Sequence, residues 1–211
     1  MILSLFLQDP LLSLAALIAV VFSLTLHEFT HAAIGTFLGD PTAKNEGRLS
    51  LNPFVHIDIW GFLLLLTSGF GWAKPVPFNP YALRFRWGGT FLIALSGPAM
   101  NIFLATIAAV FIRTLSGVEY PSESIVIQFF NLLFTINVIL ALFNCIPIPP
   151  LDGARALLSL LPERYEEWKV HYERVGPFLL VLMIIGDSWS GINIFGSLLE
   201  RATHFISVFI S

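Results

Sequence analysis

The chain has 211 residues, 56% of them hydrophobic and only 12% charged, with a net charge of −3. Soluble domains carry about 25% charged residues, so this composition describes a polytopic membrane protein and excludes a nucleic-acid footprint. The single cysteine, Cys145, excludes an internal disulfide and a cysteine-based zinc site.

Met1 to Gln8 is a short apolar lead without a basic region, which argues against a cleaved signal peptide. Asp9-Pro10 starts a helix well: Asp can cap, and Pro fits the first helical position. Leu11 to Leu38 then reads as the first long helix, ended by Gly39-Asp40-Pro41. At ~1.5 Å per residue it rises about 42 Å, enough to cross a bilayer core. Its second half carries His27-Glu28-Phe29-Thr30-His31. Helical positions i and i+4 share a face, so His27 and His31 can chelate one metal. Imidazole suits zinc, and Glu28 is placed as a general base toward water at that metal. Ionisable groups at membrane depth are costly unless paired, metal-bound or facing a wet cavity, which favours function over a pair of satisfied core histidines.

Between the first and second spans, Gly47 to Pro53 reads as a strand closed by a turn. Ile59 to Phe70 is apolar but too short to span, which is the mark of a re-entrant or interfacial segment. Gly71 to Pro80 holds three prolines and reads as extended, either an edge that pairs with a substrate backbone or an interfacial loop anchored by Trp72, Trp87 and Lys74. The second span is expected at about Thr90 to Ile112, with Ser96-Gly97-Pro98-Ala99-Met100-Asn101 near its start. Small residues there allow close helix packing, and Asn101 is expected to hydrogen-bond between helices. The third span is expected at Ile125 to Cys145, carrying Asn131, Asn137 and Asn144.

Ile146-Pro147-Ile148-Pro149-Pro150-Leu151-Asp152-Gly153 ends that span in an extended connection. A carboxylate flanked by apolar residues is costly unless neutralised, so Asp152 reads as a third metal ligand or as the cap of a helix over Ala154 to Leu161. Pro162 to Arg174 is charged and reads as a surface helix. Pro177 to Gly186 and Ile192 to Ile210 are apolar tail segments whose topology stays open. His56, His171 and His204 lack ligand spacing and read as ordinary polar or interfacial residues. Lys and Arg cluster between spans one and two and after span three, while only Arg113 lies between spans two and three. The positive-inside rule then puts the N-terminus outside and the ends bearing His31 and Asp152 toward the cytosol.

Three segments in this order, His27 to His31, Ser96 to Asn101 and Asn144 to Gly153, resemble the site-2 protease family of intramembrane zinc metalloproteases. Arg48 to Asp58 and Gly71 to Pro77 also resemble its bacterial members. The likeness runs from about Leu11 to Leu161. It implies an all-α polytopic fold: a three-helix catalytic core with a short β or re-entrant segment between spans one and two, followed by C-terminal apolar helices. Residues 1–211 are expected to form one membrane-embedded domain, with the core at about 11–161 and a helical tail at 162–211. No long polar stretch is available for a PDZ or CBS domain. The resemblance implies one Zn²⁺ per chain, held by His27, His31 and Asp152, with Glu28 activating water. It implies a substrate- or oxyanion-binding role for Asn144, to which Asn137 is added as a second candidate. The expected substrate is a transmembrane protein within the lipid bilayer, with no nucleic-acid partner. The expected location is a bacterial cytoplasmic membrane. The alternative is a non-catalytic zinc-binding scaffold, against which the intact Glu28 argues.

Overall fold

The computed structural model describes residues 8–68, 71–118, 121, 124–190, 197 and 200. Helix α1 covers Pro10–Phe37. Asp9 caps it, its carboxylate accepting from Leu12 N at 2.9 Å, and Gly39, at φ 107°, turns the chain out of it. A ten-residue helix, α2, covers Ile59–Ser68. It is followed by α3 at Arg86–Gly117, α4 at Ile125–Asn144, α5 at Asp152–Leu160 and α6 at Glu166–Ser190. The helices α1, α3 and α4 are each long and apolar enough to cross a membrane. The molecule is an all-α multi-pass membrane protein.

In lipid, helices gain little from burying apolar surface against one another, so close approach and polar contacts decide the packing. Ala19 of α1, Ala105 and Ala108 of α3, and Leu133, Phe134 and Val138 of α4 form the largest buried cluster. Outward faces are also apolar: Leu14, Ile18 and Phe22 on α1, and Phe103 and Val110 on α3, are exposed. Hydroxyls inside α1 satisfy themselves on their own helix, as Ser23, Thr25, Thr30 and Thr36 each donate to the carbonyl four residues back.

The segment between α1 and α3 differs from its sequence reading. No strand forms at Gly47 to Pro53. Local side chains capture the backbone there: Asn52 N donates to Ser50 Oγ and Phe54 N to Asn52 Oδ1, each at 3.1 Å. The pairing that does form is an isolated antiparallel bridge between Ile57 and Ala73, with Lys74 N donating to the His56 carbonyl at 2.8 Å. Helix α2 rises about 15 Å and does not cross the bilayer. Gly61 and Gly71 press it against the extended segment, since a Cβ on Gly61 would meet the Trp72 backbone and one on Gly71 the Gly61 carbonyl. Buried Asp40 staples these loops to the end of α1, accepting from Thr42 N at 3.0 Å and from Asn79 N at 2.6 Å.

His56, read as an ordinary polar or interfacial residue, is a buried polar one at 1% exposure, its Nε2 donating to the Ser50 carbonyl at 2.8 Å. The charged residues from Glu166 and the apolar stretch Pro177 to Gly186, whose topology the sequence left open, are one continuous helix, α6, which runs through Pro177. Packing holds it there: Gly176 lies so close on Pro149 that a Cβ would overlap that ring, and Tyr172 Oη donates to the Pro147 carbonyl at 2.7 Å. The expected apolar stretch Ile192 to Ile210 falls outside the described residues, apart from 197 and 200.

Candidate metal centre

The site is built from two helices and one turn. His27 and His31 lie one turn apart on α1, at 4% and 6% exposure. The proline-rich connection after α4 returns Asp152 to them as the first residue of α5. Leu151, not Asp152, takes the N-cap position, which leaves the carboxylate to the histidines. Gly153 makes this seating possible through close approach: a Cβ there would overlap the Cys145 carbonyl.

His27 Nε2, His31 Nε2 and Asp152 Oδ2 form a triangle with every edge at 3.1 Å. His31 Nδ1 donates to the Ile93 carbonyl at 2.7 Å, so the neutral imidazole turns a bare lone pair inward. A lone pair and a carboxylate facing each other at this distance repel unless a cation lies between them. Donors bound at about 2.0–2.1 Å around tetrahedral zinc stand roughly 3.3 Å apart, close to the observed edges. The donor set therefore fits zinc.

Above the triangle passes the backbone of α3. A Cβ at Gly97 would stand 2.6 Å from His27 Nε2 and closer still to His31 Nε2. Glu28 is buried beside the triangle, and its carboxylate makes no hydrogen bond among the described residues, so both oxygens are available to a proton. Arg48, to which the sequence reading gave no role at the site, is 4% exposed. Its guanidinium donates to the Lys74 carbonyl. Burial pushes its pKa down, opposed by the charges of Glu28 and Glu46.

Asn101 bonds between helices as expected, through Asn137, and also touches the site: its Oδ1 lies 2.6 Å from His27 Nδ1. Asn137 differs from expectation. Its oxygen accepts from Asn101, and its amide nitrogen donates to Ser23 Oγ and to the Leu133 carbonyl. It is fully buried with its donors and its oxygen engaged, so the substrate or oxyanion role is not supported. Asn144 stands at the end of α4, its amide donating back to the Leu140 carbonyl at 3.0 Å. An apolar cavity of about 370 Å³ lies among α1, α2 and α4, lined by Leu24, Thr25, His56, Phe62, Trp72 and Leu140.

The chain is similar to a protein of Bacillus subtilis (strain 168) named "Putative zinc metalloprotease YwhC", with 34% identity over 174 residues, covering 80% of this chain and 78% of the relative. The model of Peptidase family M50 matches residues 118–184, from the turn before α4 well into α6. The chain belongs to that family. Two further relatives are "Putative zinc metalloprotease Rip2" of Mycolicibacterium smegmatis and "Putative zinc metalloprotease Rip3" of Mycobacterium tuberculosis (strain ATCC 35801 / Erdman). Rip2 is 26% identical over 78% of this chain and 64% of its own length. Rip3 is 30% identical over 74% of this chain and 33% of its own length. No solved structure matches the chain. Membership in this family makes the chain a membrane metalloprotease, and among the described residues His27, His31 and Asp152 form a group that could hold a metal ion.

Proposed function

We propose that this chain is a zinc endopeptidase that cuts transmembrane proteins within or beside their membrane-spanning segments, in regulated intramembrane proteolysis. The observation that carries the reading is the buried 3.1 Å triangle of His27 Nε2, His31 Nε2 and Asp152 Oδ2, with the free carboxylate of Glu28 beside it. These three residues would hold one Zn²⁺, leaving a position open to the reaction. Bound zinc supplies Lewis acidity, which polarises the scissile carbonyl and acidifies water. Glu28 takes the proton of the attacking water and delivers it to the departing amine nitrogen. Asn144, at the end of α4, turns its amide from Leu140 toward the substrate and donates to its backbone or to the developing oxyanion.

A substrate helix hides its carbonyls in its own hydrogen bonds and must open before any of them can be attacked. The apolar cavity beside Thr25 suits side chains of such a segment, and the extended stretch through Ala73 offers backbone groups to the opened strand. The cationic loops after α1 and α4 favour an N-terminus outside and a site toward the cytosolic side of a bacterial cytoplasmic membrane. The test is cleavage of a single-span test protein co-reconstituted in liposomes. Wild type is expected to cut it and Glu28→Gln to lose activity by at least about a thousandfold while keeping zinc. Equal turnover by Glu28→Gln removes Glu28 as base. Zinc in wild type with no cleavage across a panel of single-span proteins favours the scaffold.

A further inference from the structure

The two histidines are held in different ways. His31 Nδ1 faces a main-chain carbonyl, which can only accept. His27 Nδ1 faces a side-chain amide, Asn101, at 2.6 Å. An amide can turn over and present its NH₂ instead of its oxygen, so Asn101 alone does not decide which ring nitrogen of His27 carries the proton. The decision is made further out. Asn101 Nδ2 donates to Asn137 Oδ1 at 2.8 Å. Asn137 Nδ2 donates to Ser23 Oγ at 2.8 Å and to the Leu133 carbonyl at 2.7 Å. Ser23 Oγ donates in turn to the Ala19 carbonyl at 2.7 Å.

The carbonyls of Leu133 and Ala19 accept and never donate, and that polarity runs inward. Asn137 must turn its NH₂ toward Leu133 and Ser23, so it offers oxygen to Asn101. Asn101 must then turn its NH₂ outward and its oxygen to His27. His27 carries its proton on Nδ1, which leaves Nε2 a bare lone pair toward His31 and Asp152. Ser23, Asn101 and Asn137 are all 0% exposed, so bulk water does not reach in to replace a missing partner.

We propose that Asn137, supported by Ser23, is a positioning residue for metal binding: through Asn101 it fixes His27 in the tautomer that presents Nε2 to zinc. This rests on the zinc reading above and assigns a role to a residue that hydrogen-bonds to none of the three metal ligands. Asn137→Leu keeps the branched shape in a somewhat larger side chain and removes the oxygen that orients Asn101. The amide is then free to turn its NH₂ toward His27, favouring the tautomer that blocks the metal. Asn101→Asp on that background restores an acceptor from either face, because both carboxylate oxygens accept.

The test is zinc affinity of the detergent-purified full chain, by competition with a chromophoric chelator. Asn137→Leu is expected to bind zinc about 10- to 100-fold more weakly than wild type. Asn101→Asp/Asn137→Leu is expected to return to within about threefold of wild type, which a role in helix packing alone would not produce, since a buried carboxylate would only add strain. If Asn137→Leu is not monodisperse, Asn137→Ala, alone and with Asn101→Asp, takes its place with the same expectations. Zinc bound by wild type and Asn137→Leu with equal affinity, or no recovery in the double variant, overturns the positioning role. No zinc in wild type overturns the metal reading itself, and this proposal with it.

Discussion

Gly97→Ala puts a single methyl group where the structure leaves no room for one. The α3 backbone crosses directly over the two ligand nitrogens, and the added Cβ would stand 2.5 Å from His27 Cε1, 2.6 Å from His27 Nε2 and nearer still to His31 Nε2. Ordinary carbon contacts begin at 3.4 Å, so relief requires a displacement of about 0.8 Å or more at His27 alone. Metal–ligand distances tolerate only about 0.2 Å. Neither ring swings away freely, because His31 Nδ1 is tied to the Ile93 carbonyl on α3 itself, at 2.7 Å, and His27 Nδ1 to Asn101 at 2.6 Å. Loss of an outer partner alone weakens such sites by about 10- to 100-fold. Displacing two ligands at once should reach the upper end, about 100-fold in zinc affinity, or about 2.8 kcal/mol. The helix itself gains slightly, since Ala exceeds Gly in helix propensity by about 1 kcal/mol, so loss of zinc with undiminished helix content is the expected signature. Chelator competition and circular dichroism on the same preparation measure both. A Gly97→Ala protein that binds zinc within about threefold of wild type would refute the placement of α3 over the ligands.

Asp152→Asn keeps the shape but removes the negative charge from the triangle. Zinc affinity should fall by at least about 100-fold, and full occupancy with intact cleavage would remove Asp152 as a ligand. Gly153→Ala drives a methyl group into the Cys145 carbonyl and should lift Asp152 away, costing zinc while leaving the three spans assembled. Normal zinc content in a well-folded Gly153→Ala protein would show that the α4–α5 connection yields more than the packing indicates.

The pairing of His27 with His31 was legible because it depends on short-range arithmetic. The four-residue spacing of His27 and His31 survives any packing of the helix that carries them. An unneutralised Asp152 after a proline run demanded a partner. The three spans followed from hydropathy, with ends shifted by a few residues where Arg86 and Gly117 extend α3. What stayed hidden depends on contacts distant in sequence. Gly97 read as a small residue for helix packing, and its role as clearance for the imidazoles exists only once α3 lies over α1. Asn137 read as a polar group near a site, and its commitment to Ser23, Leu133 and Asn101 is set by three helices meeting at one depth. Arg48 read as part of a strand and His56 as an ordinary polar or interfacial residue, and both are buried. The strand expected at Gly47 to Pro53 failed because Ser50 and Asn52 satisfy the local backbone before any partner strand does. The topology of the stretch from Pro177 stayed open in the sequence because the Gly176–Pro149 contact, which packs the helix there, joins residues distant in the chain.

The most direct test of the account is the zinc content of the purified chain, measured by elemental mass spectrometry after reconstitution with zinc and removal of excess metal, for wild type and His31→Ala. Three converging donors in a buried site predict one zinc per wild-type chain, and the loss of one ring should empty it. Wild type without zinc, or His31→Ala with as much zinc as wild type, would contradict the claim that His27, His31 and Asp152 form the metal centre.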